Sequence, residues 1–120
     1  MRSGSAVTVQ ADLADGDAID RLVAEVRSRT PRLDLLVNNA SQFFPTTVGE
    51  TSREQWDELM ESNLAGPYFL TQALLPEIRA ARGSVVNILD VHAIRPMKRH
   101  AVYSMAKAGL QMMTLALAKE

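Results

Sequence analysis

The chain has 120 residues, of which 47% are hydrophobic and 22% are charged, which is the composition of one ordinary soluble domain. The chain has 13 basic residues against 14 acidic ones and a formal net charge of −1. It therefore lacks the excess of positive charge that attracts nucleic acids or anionic membranes. The absence of cysteine excludes a disulfide scaffold, a thiolate zinc site and a cysteine nucleophile, and it fits a reducing compartment.

The longest mainly apolar stretch also argues against a membrane protein. Leu64–Leu75 contains Pro67, Thr71 and Gln72 and is shorter than the roughly 20 residues that span a bilayer. The first residues reach a strand-like run without an apolar signal segment, so export is not indicated. We therefore expect a cytoplasmic protein with neither a membrane nor a nucleic acid as its partner.

The first part of the chain predicts two strands with a helix between them. Ala6–Ala11 is short and β-branched, Asp12–Asp17 collects turn and capping residues, and apolar side chains then recur at helical spacing. Thr30 and the proline after it end that helix, because the residue before proline avoids helical geometry. The nearly all-apolar run Leu33–Val37 follows, and it predicts a strand covered on both faces.

The second part predicts a long helix, a third strand and a final helix. Thr51–Glu54 has the form of a capping box, and a broad apolar stripe continues from there to about Arg82. Gly83 is expected to supply the left-handed stop. Ser84–Leu89 is the third strand, and the last helix begins near Ala101.

Strands that alternate with helices predict right-handed βαβ units and a parallel sheet. The predicted fold class is therefore α/β, with three strands and three helices in a single domain over residues 1–120. In such sheets the ligand lies at the carboxyl ends of the strands, which points to Asp12, to Asn38–Phe44 and to Asp90.

Tyr103 and Lys107 lie four residues apart on the last predicted helix, so their side chains share a face. A phenol with a reference pKa of about 10 is a poor acid–base catalyst at neutral pH, but a neighbouring cation favours the phenolate and lowers that pKa. An incidental surface pair has the same spacing, so the rest of the sequence must decide between the two interpretations.

Four separate elements resemble the short-chain dehydrogenase/reductase family, in the family's order and spacing. They are Leu36–Ala40 after a buried strand, Asn63 in the next helix, a polar residue at Asp90, and Tyr103–Lys107. The resemblance implies a Rossmann-like doubly wound sheet and a nicotinamide cofactor.

Two departures from the usual family pattern narrow the resemblance. Ser41 stands where the family usually has glycine, and Asp90 stands where it usually has serine. Both features, together with Phe43 and the run Val9–Leu13, resemble the pteridine reductase subfamily. The resemblance then implies reduction of a pterin or folate ring by NADPH, with NADH left open.

The resemblance implies a catalytic role for four residues. Lys107 would bind the nicotinamide ribose and lower the pKa of Tyr103, which would deliver the proton. Asp90 would support that transfer and hold the pterin, and Asn63 would interrupt its helix and organise a water on the proton path. Asp90 also fits a simple turn cap, and a polar residue such as Asn63 is common on a helix face, so these alternatives stay open.

The resemblance also implies a set of binding residues. The cofactor would lie along Asn39, Ala40 and Ser41 and contact Tyr103 and Lys107, with Asp12 accepting a hydrogen bond from the adenine amino group and Leu13 contributing backbone. The substrate would contact Ser41, Asp90 and Tyr103 and stack on Phe43. Asp12 also fits a helix start, and Phe43 also fits a core aromatic.

Two other side-chain groups carry no chemistry in this interpretation. His92 and His100 have no ligand set at metal spacing, so no metal is expected. The short basic loop that ends at His100 is expected to be solvated, although it also suits the anionic tail of a pterin substrate.

The sequence lacks the glycine-rich turn with which dinucleotide-binding folds hold a pyrophosphate. The resemblance therefore covers only the middle of the family's usual chain, and we expect this fragment to be inactive when isolated. In the family's sheet, Ala6–Ala11 and Leu33–Val37 are separated by two further strands. Either they pair directly here, which we favour, or the fragment depends on a partner.

Two alternatives to pterin reduction stay open. The first is a short-chain reductase that acts on a carbonyl substrate. The second is a non-catalytic remnant that serves as an association module, since family members commonly form homo-oligomers, dimers or tetramers, through the helices corresponding to Asn63–Arg82 and Tyr103–Lys119.

Overall fold

A computed structural model describes residues 6–120 and has an α/β architecture. The helices are α1 (Gly16–Arg29), α2 (Arg53–Met60), α3 (Gly66–Ala73), α4 (Leu75–Ala81) and α5 (Ala101–Leu117), and the strands are β1 (Leu35–Asn38) and β2 (Ser84–Asn87). A π-helical turn, Glu61–Ala65, joins α2 to α3, and a 3₁₀ turn, Val91–Ala93, follows β2. The strands pair in parallel, which confirms the α/β fold class. Within residues 6–120, no helix combines the length and apolar character needed to cross a bilayer.

The predicted strand Ala6–Ala11 is not a strand in the structure. Residues 6–11 have no regular secondary structure and are mostly exposed, and the sheet formed by the described residues has two strands rather than three. A β-branched run has only a weak strand preference of its own, and it forms a strand when a neighbour pairs with its amides and carbonyls. Because β1 does not pair with this segment, the expected direct pairing is wrong.

The sheet is packed on one face instead of the expected two. Leu36 and Val85 lie against a core formed by α1, α3 and α4, which includes Ile19, Val23, Leu70, Leu74 and Ile78. Side chains alternate across a strand, so Leu35, Val37 and Val86 point to the opposite face, where they are 52%, 48% and 43% exposed. An apolar run therefore identified a strand here without showing which faces are covered.

The single long helix predicted as far as Arg82 is three helices and a π-helical turn. From the π-helical turn, the Asn63 side-chain amide donates to the Leu59 carbonyl of α2 at 2.9 Å. This bond offers the carbonyl an alternative to the regular backbone hydrogen bonds of an α-helix. Pro76 cannot donate a backbone hydrogen bond, and the chain breaks at Leu74 between α3 and α4. The capping box lies one residue later than predicted, between Ser52 and Gln55.

Gly83 ends α4 for a different reason from the one expected. Arg82 has the left-handed backbone conformation, with φ of 49°, and the Gly83 amide donates to the Ile78 carbonyl at 2.9 Å. A Cβ on Gly83 would lie 2.8 Å from the Asp34 carbonyl oxygen and closer still to that of Leu33. The glycine is thus required because two backbone segments approach each other closely.

Two side-chain amides, the buried Asn38 and the half-buried Asn87, connect the sheet to two helices at the carboxyl ends of the strands. The Asn38 amide nitrogen donates to the Asn87 side-chain oxygen at 2.8 Å and to the Thr71 hydroxyl, on α3, at 3.2 Å. The Asn87 amide nitrogen in turn donates to the Thr114 hydroxyl, on α5, at 2.9 Å. Side chains at this depth need such partners, so the network fixes α3 and α5 relative to both strands.

We expect Gly83→Ala to lower the free energy of unfolding by about 1–3 kcal/mol, because the added methyl overpacks a backbone contact. Gly16→Ala is the matched control, since no atom lies within 4 Å of a Cβ at Gly16. Urea unfolding followed by circular dichroism measures both. Equal stability of the two variants would contradict the assigned role of Gly83.

Candidate active site

Tyr103 lies in the first turn of α5 with 5% of its surface exposed, packed beside Leu59 of α2 and Val102. Its hydroxyl donates to Oδ2 of Asp90 at 2.7 Å. Asp90 lies three residues after the end of β2, so the sheet places the carboxylate while the helix places the phenol. The two groups that the sequence separates by thirteen positions are therefore in direct contact.

Asp90 caps a turn and also contacts Tyr103, so the structure is compatible with both of the roles that the sequence left open. Its Oδ1 accepts a hydrogen bond from the His92 amide at 3.0 Å and caps the 3₁₀ turn, while Oδ2 faces Tyr103. The His92 amide and then the Tyr103 hydroxyl hold the pKa of Asp90 below its ordinary value, because both bonds favour the charged carboxylate. Asp90 is therefore an acceptor at neutral pH rather than a proton source.

Burial and the neighbouring Asp90 carboxylate raise the pKa of Tyr103 to about 12, and the Ser41 hydroxyl opposes that rise. Lys107 is not among the groups that shift this pKa, and its ammonium lies 5.9 Å from the centre of the phenol ring, so the lowering of the Tyr103 pKa by Lys107 stays a prediction. A buried phenol next to a carboxylate keeps its proton because ionisation would place two negative charges side by side.

Lys107 is buried one turn further along α5, and its ammonium donates to the Ile88 carbonyl at 3.0 Å. Burial lowers the pKa of Lys107, and the Asp90 carboxylate acts against that change. The sequence spacing placed Lys107 correctly on the Tyr103 face, but it gave no indication of the carbonyl that holds the ammonium.

Asn63 is fully buried in the π-helical turn and reaches the loop after β1. Its amide nitrogen donates to the Gln42 carbonyl at 2.9 Å, and its side-chain oxygen accepts a hydrogen bond from the Ser41 hydroxyl at 2.8 Å. Asn63 thus interrupts its helix as expected and holds the loop that leads to Phe43. The predicted water on the proton path stays a prediction.

Phe43 is half-exposed beside the phenol. Its ring centre lies 4.9 Å from that of Tyr103, at 82°, and 4.5 Å from that of His100, at 11°. The alternative of a buried core aromatic does not hold, because 53% of Phe43 is exposed. The expectation that the basic loop ending at His100 is solvated is wrong for His100 itself, which is 7% exposed because it packs against Phe43.

Thr46 is a residue that sequence reasoning missed. Its amide donates to the Arg99 carbonyl at 2.6 Å, and its hydroxyl accepts from the Val102 amide at 3.4 Å. These bonds attach the loop that carries Phe43 to the start of α5. Nothing in the sequence indicates this contact, because it joins two irregular segments.

The loop Asn39–Ser41 is exposed at the carboxyl end of β1. Its backbone amides have no protein partner among residues 6–120, so they are free to donate to a ligand. Small side chains and free amides at a strand end fit the close approach of a dinucleotide. This part of the predicted cofactor site is compatible with the structure.

Asp12 and Leu13 lie at the other end of the predicted cofactor site. Asp12 forms a turn before α1 by accepting from the Ala14 amide at 2.9 Å, and Asp15 is the residue that caps the helix. Leu13 packs against Gly66, where a Cβ would lie 2.7 Å from the Leu13 carbonyl oxygen. The structure shows no contact between these residues and Tyr103, so their adenine-binding role stays a prediction. Among residues 6–120, no group of three potential metal ligands occurs.

A buried tyrosine and lysine on one helix, facing the carboxyl end of a parallel sheet, are the features of an α/β oxidoreductase. A family model described as "short chain dehydrogenase" matches residues 1–120. The chain therefore belongs to the short-chain dehydrogenase family.

Several relatives agree with this assignment. A 3-oxoacyl-[acyl-carrier-protein] reductase of Synechocystis is 33% identical over 98% of this chain and 48% of its own, and an NAD-dependent glycerol dehydrogenase of Listeria innocua is 30% identical over 95% and 45%. A metagenomic short-chain oxidoreductase solved in complex with NADP has a TM-score of 0.89 and 32% identity over 98% of this chain and 54% of that one. A short-chain dehydrogenase from Streptomyces avermitilis has a TM-score of 0.85 and 37% identity over 92% and 42%. The chain thus spans about half the length of the curated relatives it matches.

We expect Asp90→Asn to lower the pKa of Tyr103 from about 12 toward 10, because the negative charge beside the phenol is removed. The chain has 2 tyrosines, so the titration is followed by phenolate absorbance in a Tyr68→Phe background. Asp57→Asn, an exposed acid on α2, is the control and should leave the titration unchanged. An unchanged Tyr103 pKa in Asp90→Asn would contradict the assignment.

The same pKa predicts a dependence of stability on pH. A folded-state pKa of about 12 above the ordinary 10.0 means that the folded protein binds this proton more tightly than the unfolded chain. The contribution to stability is fully present below pH 10 and is lost as the pH rises toward 12. Urea midpoints across this window should therefore fall less steeply in Tyr103→Phe than in the parent chain.

We expect Asn63→Ala to lower the free energy of unfolding by about 1–3 kcal/mol, since it leaves buried polar groups without partners. Asn39→Ala, at an exposed position, is the control and should be close to neutral. Chemical denaturation measures both. Similar values for the two variants would show that the Asn63 bonds do not hold the loop.

Proposed function

We propose that this chain carries the proton-donating part of an NADPH-dependent reductase of a pterin or folate ring. The observation that carries the proposal is the position of Tyr103. Its hydroxyl lies 2.7 Å from Oδ2 of Asp90, and its ring contacts the exposed Phe43. A proton donor, a charged acceptor and an aromatic surface thus lie together at the ends of the two strands.

The protonation state of Tyr103 is compatible with a proton donor. With a pKa of about 12, Tyr103 carries its proton at neutral pH. In the proposed reaction, Tyr103 protonates the ring nitrogen next to the reduced carbon, and Asp90 orients the phenol and accepts a hydrogen bond from the substrate.

Phe43 supports a flat substrate. A ring that is 53% exposed next to a catalytic phenol gives up favourable burial unless a ligand covers it. A planar heterocycle can cover it by stacking, whereas a small aliphatic carbonyl compound cannot. Ser41, whose hydroxyl is held by Asn63 at 2.8 Å, lies next to the same loop and is proposed as a further substrate contact.

The cofactor in this proposal is NADPH, which supplies the hydride when it is bound. Asn39, Ala40 and Ser41 would lie along it, Tyr103 and Lys107 would contact its ribose, and Asp12 and Leu13 would contact its adenine. Support comes from the free amides of the exposed loop and from the relative solved in complex with NADP.

A carbonyl substrate is the second candidate. The names of two relatives favour it, because one is a 3-oxoacyl-[acyl-carrier-protein] reductase and the other a glycerol dehydrogenase. Tyr103 and Lys107 would serve in the same way, while Phe43 and Asp90 would have no special part in substrate choice. The two candidates therefore differ in what Phe43 does.

The test measures NADPH oxidation with dihydrobiopterin and with a ketone. Since the chain spans about half of its relatives, the assay uses a version in which the flanking segments of the NADP-bound relative are joined to it. Tyr103→Phe should lower pterin turnover at least about 100-fold, the usual contribution of general acid catalysis. Tyr68→Phe, which changes the other tyrosine, should leave it unchanged.

Each outcome separates the candidates. Turnover of the pterin that depends on Tyr103 supports the proposal. Turnover of the ketone alone supports the carbonyl candidate, and pterin turnover that survives Tyr103→Phe rejects the assigned mechanism.

A further inference from the structure

His100 lies directly against the aromatic ring proposed to face the substrate. The imidazole and the Phe43 ring are nearly parallel, with an angle of 11° and 4.5 Å between their centres. His100 is 7% exposed and Phe43 is 53% exposed, so the imidazole is covered while much of the phenyl ring is not. One face of Phe43 is therefore occupied by the protein.

The imidazole is held in place by its surroundings. Its Nδ1 is 3.0 Å from the Lys98 carbonyl, and the His100 amide donates to the Met97 carbonyl at 3.1 Å. The His100 carbonyl accepts from the Ser104 amide at 3.0 Å, and its backbone forms a bridge with Thr46. His100 is thus fixed at the point where α5 begins.

The plane of the Phe43 ring is consequently set by two neighbours. His100 packs parallel to it, and Tyr103 packs at 82° to it with ring centres 4.9 Å apart. The hydrogen bond from the Tyr103 hydroxyl to Asp90 involves neither Phe43 nor His100. Substitutions at His100 therefore leave both partners of that bond in place.

We propose that His100 is a positioning residue that backs the Phe43 ring, so that its uncovered face receives a flat heteroaromatic ring next to the Tyr103 hydroxyl. The inference rests on the proposed function for the identity of that ring as a pterin. His100 acts through Phe43 and makes no contact with the substrate itself.

The physical reason is preorganisation. A phenyl side chain on an exposed loop would lose rotamer freedom when a ligand stacks on it, and this loss weakens binding. A ring already fixed by a parallel neighbour has less freedom left to lose. The benefit is specific to flat ligands, because only these use the face of Phe43.

Two substitutions at the same position separate the ring from the polar group. His100→Phe keeps a planar ring against Phe43, whereas His100→Asn removes the ring and keeps a polar side chain at a helix start, where asparagine is favourable. The probe is pterin, whose fluorescence reports binding to the 120-residue chain without any turnover. Thermal unfolding of each variant checks that the chain is folded.

We expect His100→Asn to raise the dissociation constant for pterin about 3- to 10-fold, which is the scale of one aromatic pair. His100→Phe should stay within about twofold of the parent chain. If the imidazole served only to bond the Lys98 carbonyl, His100→Phe would weaken pterin binding more than His100→Asn, because phenylalanine cannot make that bond.

A second readout tests the stack without a ligand. The Cε1 proton of His100 should show an upfield ring-current shift in the NMR spectrum, and Phe43→Leu should abolish it. Phe69→Leu is the matched control, since Phe69 is also 53% exposed but lies on α3.

Three binding results would overturn the inference: no pterin binding by the parent chain, equally tight binding by His100→Asn and the parent, or equally weak binding by His100→Phe and His100→Asn. An unchanged His100 NMR signal in Phe43→Leu would also overturn it.

The proposed function can fail separately. A chain that binds pterin in a manner dependent on the His100 ring, but whose flanked version does not reduce it, keeps the inference and rejects the reaction.

Discussion

The parallel pairing of β1 with β2 is the constraint from which the rest of the site follows. Because both strands run in the same direction, their carboxyl ends meet, and the loop after β1 and Asp90 after β2 emerge on the same side. The side-chain amides of Asn38 and Asn87 fix this end of the sheet to α3 and α5. Tyr103 on α5 is thereby held against Asp90, and Asn63 is held against the loop that carries Phe43.

The electrostatics of the site depend on burial more than on the neighbouring lysine. Lys107 lies on the Tyr103 face as the spacing predicts, but its ammonium is bonded to the Ile88 carbonyl. The phenol instead faces a carboxylate, and desolvation and that charge both favour the protonated phenol. The site therefore pairs a neutral phenol with a charged carboxylate.

The residues that define the family and those that we propose for substrate choice lie in different parts of the molecule. The tyrosine, the lysine and the buried asparagine lie on helices packed against the sheet or against each other, and relatives with different substrates match this whole region. The residues that we propose for substrate choice lie in loops, at Phe43 and at the start of α5. Their geometry comes from contacts between loops, such as the stacking of Phe43 on His100.

The amino-acid sequence by itself determined the order of helices and strands after Asp12, the end of α1 before proline, and the position of Tyr103 and Lys107 on one face of α5, because these depend on local spacing. It did not determine that Ala6–Ala11 stays unpaired, that one face of the sheet is exposed, or that the long helix breaks at Asn63 and Leu74. Those outcomes depend on which segments find partners in space. The pKa of Tyr103 and the position of His100 were likewise decided only by the tertiary structure, since burial and stacking arise between residues that are distant along the chain.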